Sequence, residues 1–290
     1  MPTGDSKLDA FESLFRSAAK DVFTLAPPHI ERVLLLTDLA EPEALDLKET
    51  VAGFLSCIDS AAELRWEVAH HDHWAAGPEA PVLKARDLVN TLKPDLVVTR
   101  RHQLGKVTNL PYTLGSVVDT LTQATDVPVL LLPPPDFKLP SSTDRVMVIT
   151  DHLSGDDQLV NYGVQFTHRR GTLFLAHVED EGILEYYLAA IDKMQSIDSD
   201  EARTKLPARL LKTPTDYIES VAGVLKRAGI EERVVPIVRL GRGVGSYQGL
   251  MAEHDIDLLI LNTKDDRQDA MDAMAYALSV QIRSRPLLLL

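Results

Sequence analysis

The sequence predicts an α/β protein made of two tandem doubly wound parallel-sheet domains, the first of them truncated. Three observations carry this. Short apolar runs of strand length alternate with longer amphipathic runs of helix length, the pattern of a parallel sheet covered on both faces. Three strand-like segments then recur in the same order. Arg32–Asp38 (RVLLLTD) is echoed by Arg145–Asp151 (RVMVITD), Asp95–Val98 (DLVV) by Asp257–Ile260 (DLLI), and Val127–Leu132 (VPVLLL) by Arg285–Leu290 (RPLLLL). Repetition in order is the mark of a tandem duplication. Finally, the chain is 45% hydrophobic but only 6% aromatic, so Ala, Val and Leu carry the apolar weight, as in strands buried on both faces.

The totals narrow the function. At 290 residues there is room for one large domain or two ordinary ones. A net charge of −13 argues against nucleic acid or an acidic membrane surface as the primary partner. A small phosphorylated ligand is still allowed, because it needs only a few backbone N–H groups and a local cation. Cys57 is the only cysteine, so no internal disulfide forms, and a reducing compartment is expected. It lies with Phe54, Leu55 and Ile58 on a predicted helix, the setting of a packed, inert thiol. The first residues carry Asp5, Lys7, Asp9 and Glu12 and lack the apolar stretch of a signal peptide. No run approaches the roughly 20 apolar residues of a membrane span. A cytoplasmic protein is expected.

Residues 1–30 read as a helical appendage. Leu8, Phe11, Leu14, Phe15, Ala18, Ala19 and Val22 have helical spacing over 5–25, and Pro27-Pro28 stops it. It is expected to pack on the first domain, residues 31–135. There Glu31–Asp38 is a strand and Pro42–Ile58 a helix, with Glu41 and Glu43 at its positive end. Glu63–His70 is a shorter strand with Leu64, Trp66 and Val68 alternating. Pro81–Leu92 is a helix that stops before Pro94. Leu96–Val98 and Val129–Leu132 are buried strands around the amphipathic run Val117–Thr125.

The Pro- and Ser-rich segment 136–142 is the linker. In the second domain, residues 143–290, the expected order is helix Asp156–Arg170, strand Thr172–Val178, and helix over 181–229 with a polar break at Ile197–Pro214. Strand Arg233–Leu240, helix Tyr247–His254, strand Asp257–Asn262, helix Gln268–Ile282 and strand Leu287–Leu290 complete it. Ninety residues separate Asp38 from Pro128, and 135 separate Asp151 from Pro286. The second copy is thus 45 residues longer and holds one helix-plus-strand unit that the first lacks.

Ligands in such sheets sit at the carboxyl ends of strands. The loop Thr99–Ser116 is therefore the place to look first. Gly105 lets a backbone approach a phosphate without a Cβ in the way. Gly115 and Ser116 open a helix, where N–H groups and the dipole favour an anion. Ser116 reads either as the N-cap or as a phosphate ligand. Arg100, Arg101 and Lys106 add cations. Without a ligand, Gly105 is a turn residue, Ser116 only a cap and the arginines solvated.

These residues resemble the universal stress protein family in its tandem form, a Rossmann-type architecture. The likeness lies in the apolar strand ending in Asp, the glycine loop, Gly-Ser, a helix, and Val-Pro-Val-Leu-Leu-Leu. It covers nearly the whole chain after residue 30. Gly105, nine residues, then Gly115-Ser116 matches the second and third parts of that family's nucleotide loop, while the first glycine falls on His102. The resemblance implies a stress-response regulatory protein with ATP or AMP held in the first domain, without strong turnover. Its contacts would come from Asp38, Gly105, Gly115, Ser116 and Val117. Asp38 is also readable as a helix cap. No catalytic set and no metal site are assigned. The resemblance further implies that Val129–Leu132 and Leu287–Leu290 lie together across an internal pseudo-twofold, which would hide two apolar edges; a homodimer is compatible with it.

The second copy has no glycine in its loop NTKDDRQDAMDAMAYAL, and Asp265, Asp266 and Asp269 would repel a triphosphate. It is not expected to bind ATP in the family manner. Gly241–Ser246 (GRGVGS) reads as a flexible loop or an anion site without the full dinucleotide fingerprint. His71 and His73 would share a face if His70–His73 were a strand, but no fourth metal ligand has a telling spacing. His152 and His177, near strand ends with Asp151, read as satisfied imidazoles or as a shared polar pocket. Two other functions stand beside the nucleotide-binding regulator: a ligand-free protein-interaction scaffold, and a weak nucleotide hydrolase working through Gly115-Ser116.

Overall fold

The computed structural model describes residues 23–58, 61–76, 80–104, 112–149, 157–193, 198–230, 234–263 and 271–290. The first half contains β1 (Arg32–Leu36), α1 (Glu41–Phe54), β2 (Arg65–Ala69), the one-turn α2 (His71–Trp74), α3 (Pro81–Leu92), β3 (Leu96–Arg100), α4 (Ser116–Ala124) and β4 (Val129–Leu132). The second contains β5 (Arg145–Ile149), α5 (Asp157–Phe166), β6 (Thr172–Asp180), α6 (Glu181–Ile191), α7 (Ser199–Arg227), β7 (Val234–Gly241), α8 (Gly243–Glu253), β8 (Leu258–Leu261), α9 (Ala273–Gln281) and β9 (Leu287–Leu289).

All nine strands form one sheet in the order β2-β1-β3-β4-β9-β8-β5-β6-β7. Every neighbouring pair is parallel except β4 and β9, where Val129, Leu130 and Leu131 oppose Leu289, Leu288 and Leu287. The expected meeting of these two strands is thus an antiparallel ladder. The registers on its two sides correspond. Val33 pairs with Leu96 as Val146 pairs with Leu258, and Val97 pairs with Val129 as Leu259 pairs with Leu287. The first half has four strands; the second has five, with β7 as the additional edge.

Alternation along the strands builds two apolar layers. Leu34, Leu36, Val97, Leu131, Met147 and Leu259 face one layer, under α3, α4, α8 and α9. Val33, Leu35, Val98, Leu130, Val148 and Ile260 face the other, under α1, α5 and α7. Both layers run through the seam, so the halves share their cores. Cys57 is buried in the second layer, its thiol donates to the Phe54 carbonyl at 3.7 Å, and burial pushes its pKa up.

Several sequence expectations shift. Residues 5–22 of the helix predicted over 5–25 lie outside the described residues, and 23–25 are not helical. Phe23 is buried, and the segment after it is held by the second half. Thr24 N–H donates to Asp157 Oδ2 (3.0 Å), Ala26 N–H to Asn161 Oδ1 (2.8 Å), and Asn161 Nδ2 to the Thr24 carbonyl (2.9 Å). Within the predicted break at 197–214, residues 199–214 are instead helix, because α7 runs through Pro207 and Pro214. Asp198 caps its start by accepting from Asp200 and Glu201 N–H, and the buried face of Pro214, Tyr217, Ile218, Val221 and Leu225 holds it to the sheet. That packing offsets the hydrogen bonds lost at the prolines. The break falls earlier, between α6 and α7.

The seam is the link between the halves. Leu130 is fully buried in it, and Leu130→Ala removes apolar contacts from the layer that both halves share. The substitution is expected to lower unfolding stability by about 2–5 kcal/mol, read from urea melts.

Candidate functional site

The site is built where β1 and β3 end beside the start of α4. β1 runs out through buried Thr37 into half-buried Asp38. Trp74 locks that exit, with its indole N–H donating to the Thr37 carbonyl at 2.9 Å. Asp38 is tied to the turn after β3 from both ends. Its N–H donates to Gln103 Oε1 (2.7 Å), and its Oδ2 accepts from Leu104 N–H (2.8 Å). Gln103 is itself buried and donates through Nε2 to Thr99 Oγ1 (3.3 Å). Asp38 thus caps a turn; it is not a helix cap.

The turn is made of residues in the left-handed region. His102 has φ 57 and Leu104 φ 64, conformations that normally favour glycine. His102, the position of the expected first glycine, therefore keeps a glycine-like backbone while carrying a ring. Its N–H donates to the Leu114 carbonyl (3.0 Å), which draws the turn onto the next segment. Gly115 follows at φ 91, and a Cβ there would lie 2.9 Å from both Cα and N of His102. Gly115 is required by this close backbone approach as well as by its dihedral. Burial, with Arg283 and Arg101 nearby, lowers the His102 pKa and leaves the ring neutral at pH 7.

Gly115 is the N-cap of α4, and no side chain caps that helix. Ser116 is exposed and is the first helical residue, so its hydroxyl is not a cap. Val117 is buried in the core and offers only its backbone N–H. The start of α4 therefore presents backbone donors and the positive end of the helix dipole. The second half contrasts with this. Asp272 caps α9 by accepting from Met274 N–H (2.8 Å) and Ala275 N–H (3.2 Å). A carboxylate of the chain itself takes the position that an anion would need. Gly105 and Lys106 in the first half, and Asp265, Asp266 and Asp269 in the second, lie outside the described residues, as do Asp151 and His152.

The expected local cations divide. Arg101 is buried and is not a phosphate ligand. Its Nε and Nη2 donate to the Ser279 carbonyl (3.2 and 2.8 Å), Nη2 to the Ile282 carbonyl (2.8 Å), and Nη1 to the Leu132 carbonyl (3.4 Å). It closes the C-terminal turn of α9, where the helix dipole is negative. Burial lowers its pKa to about 10, so it stays charged at pH 7. Arg100 is half-buried at the end of β3; burial lowers its pKa and Asp38 opposes the shift. Asp119, in the first turn of α4, has its pKa raised by burial, with Oδ1 left without a partner. Sequence reasoning missed the Arg101 clamp, because it depends on a helix 178 residues away in the chain, and it missed Asp119, whose burial shows only in the fold.

The other constellations are elsewhere. His71 and His73 lie on a helical turn, not on a strand. His70 is buried against the His73 ring (centroids 3.8 Å apart), His71 Nδ1 meets Asp72, and His73 Nδ1 meets the Val68 carbonyl. His177 is buried with Nε2 3.2 Å from Glu179. Gly243 and Gly245 are inside α8, so the predicted loop is mostly helix. Arg242 N–H is taken by Ser246 Oγ (2.7 Å), and its guanidinium pairs with Glu181 and Glu185. A Cβ on Gly241 would meet that Oγ at 2.4 Å, which is why the strand ends in glycine.

No family model and no curated protein matches the chain. Solved structures do. A functionally unknown protein from Pseudomonas aeruginosa PAO1 aligns with TM-score 0.51 and 12% identity, covering 90% of this chain and 92% of its own. A candidate universal stress protein from Pseudomonas aeruginosa UCBPP-PA14 gives 0.51 and 12%, covering 90% and 93%. A universal stress protein from Archaeoglobus fulgidus DSM 4304 gives 0.50 and 12%, covering 90% and 85%. The chain has the α/β fold of universal stress proteins along nearly its whole length. No helix among the described residues is long and apolar enough to cross a membrane.

Two outcomes follow from the site's charges. Arg101→Met strips the donors from three buried carbonyls and is expected to cost about 3 kcal/mol in chemical denaturation. Asp119 has a folded pKa above its ordinary 3.8, so its ionisation opposes folding as pH rises through that window. Asp119→Asn is therefore expected to stabilise the protein at pH 7, with a gain that shrinks to nothing as the pH falls towards 3.8. Urea melts across that range measure it.

Proposed function

We propose that the protein is a stress-response regulator that binds ATP or AMP at the strand ends of its first half, without strong turnover. The observation that carries the reading is the contrast between the two helix starts. α4 begins at Gly115 with no side-chain cap, whereas α9 is closed by Asp272. The uncapped start is linked to Asp38 through the hydrogen bonds of His102 and Leu104, which puts backbone N–H groups and a carboxylate on one connected turn. In this reading the phosphates lie on Gly115, Ser116 and the Val117 N–H, the family resemblance adds Gly105, and Asp38 faces the nucleoside. The second half carries no nucleotide in this mode, since Asp272 occupies its helix start. Likeness in fold to universal stress proteins supports the regulatory role.

Calorimetry with ATP plus Mg²⁺ and with AMP tests the site. Saturable heat is expected for the unaltered chain. Gly115→Val drives a side chain into the His102 backbone and is expected to abolish that heat. Because Gly115→Val also strains the loop, Ser116→Asp is the sharper variant. It places a carboxylate at the start of α4, which is expected to raise stability by about 0.3–1 kcal/mol while weakening nucleotide binding about tenfold or more, roughly 1.4 kcal/mol. Absence of heat with either nucleotide sinks the proposal and leaves the ligand-free scaffold. Unchanged heat in Ser116→Asp moves any nucleotide elsewhere.

A further inference from the structure

We infer that residues 5–22 form an amphipathic helix that docks on the exposed apolar face of α6 and completes a three-helix layer with α6 and the first half of α7. The inference does not depend on the nucleotide reading. It starts from α6 itself. Glu181–Ile191 reads EGILEYYLAAI, with eight apolar residues in eleven. A helix that is apolar nearly all round needs cover on more than one side. Yet only Leu184 of it is fully buried. Ile183 is 51% exposed, Tyr186 73% and Tyr187 51%. With Ala190 these three have the i, i+3, i+4, i+7 spacing of a single helix face.

α6 packs on α7, and this hairpin is short of cover. The fully buried residues of α7 begin at Pro214, so residues 199–213 bury no side chain completely, although Leu206, Leu210 and Leu211 lie there. Ion pairs hold the hairpin without using its apolar face. Arg242 pairs with Glu181 and Glu185, and Arg203 with Asp192. Those three acids lie on the side of α6 turned away from Ile183 and Ala190. Among the described residues nothing covers the apolar side.

The chain's own N-terminal segment fits by sequence, place and length. Leu8, Phe11, Leu14, Phe15, Ala18 and Val22 fall on one stripe of a helix, with Asp9, Arg16 and Lys20 on the other side. Such a stripe is unfavourable in water, and a helix of this length is marginal without packing. The segment leads into Phe23, which is buried in the layer under α5 and α7. Thr24 N–H donates to Asp157 Oδ2 at 3.0 Å, and the Tyr217 hydroxyl lies 3.5 Å from Asp157 Oδ1. The chain therefore arrives beside the middle of α7. Tyr217 is 18 residues beyond Ser199, and 5–22 is also 18 residues. Each spans about 27 Å as a helix, so the segment matches the uncovered length. A second copy is a poorer occupant, because two chains of net charge −13 repel each other.

The test is paramagnetic relaxation in the isotopically labelled full-length chain. A nitroxide is attached at Ser17→Cys, on the polar side of the segment, with Cys57→Ala so that it is the only thiol. The label is expected to broaden the amide signals of Ile183, Tyr186, Tyr187 and Ala190 and to leave β2, at the far edge of the sheet, sharp. Tyr187→Glu charges the face and Phe15→Asp charges the stripe. Each is expected to abolish the broadening and to speed amide exchange over residues 11–22 at least about tenfold. Phe15→Asp changes none of the described residues, so it decides should Tyr187→Glu fail to fold. Spin-labelled chain mixed with isotopically labelled chain lacking the nitroxide is expected to show no broadening. Broadening absent from α6, broadening that survives Phe15→Asp, or broadening in the mixed sample, which would make a second copy the occupant, would each overturn the proposal.

Discussion

One antiparallel ladder organises this molecule. Among the described residues β4 and β9 are the only antiparallel neighbours in a sheet that is otherwise parallel, and they join the halves through three pairs of fully apolar residues. Each would otherwise be an exposed edge of bare N–H and C=O groups beside a row of leucines, which invites aggregation. Pairing them satisfies the backbone and continues both apolar layers from one half into the other. The antiparallel sense has a second consequence. Strands of the two halves run in opposite directions, so their carboxyl ends lie at opposite edges of the sheet. The end of each half's last helix then comes beside the strand ends of the other half. Arg101 can therefore reach the last turn of α9, although 178 residues separate it from Ser279.

That reach explains how a charged side chain is buried with no carboxylate among its bonds. A guanidinium in the interior is costly unless its donors are satisfied. Here three carbonyls at or near a helix C-terminus and a strand end supply acceptors, and the aligned peptide dipoles supply partial negative charge. The donors are satisfied and the helix end is closed in the same contact. The nucleotide-loop candidate thus rests on a turn whose neighbour, Arg101, is committed to holding the halves together. An arginine beside a glycine loop reads as an anion ligand in the sequence, and only the other half's helix shows otherwise.

The strands were largely legible, because short Val- and Leu-rich runs bounded by Pro, Asp and Gly leave few alternatives, and the repeated RV-apolar-TD pattern aligned the halves. The antiparallel contact of Val129–Leu132 with Leu287–Leu290 was legible only through the family resemblance. What misled was local chemistry that tertiary contacts override. The prolines at 207 and 214 read as a break, yet the buried face from Pro214 to Leu225 keeps α7 continuous. His70–His73 read as a strand end, but Trp74 reaches back to the Thr37 carbonyl and winds the segment into a turn. Asp38 and Gly115 were singled out by position, while their partners in the structure were not legible. Nothing in the sequence says that Leu104 N–H needs Asp38, or that Gly115 is glycine because His102 lies against it.

The halves keep one framework and differ in what closes it. Each has a helix start that exposes backbone donors and a helix end that exposes backbone acceptors. In the second half the start is closed by Asp272; in the first the end of its partner helix is closed by Arg101. The two remaining termini, the start and the end of α4, lack these internal ions. α4 instead carries Asp119 inside its first turn and no basic residue in its last, where the Thr125 hydroxyl donates to the Leu121 carbonyl at 2.7 Å. Here an acid closes a positive end and a base closes a negative one, both on α9. The asymmetry makes α9 the helix braced by an internal ion at each end.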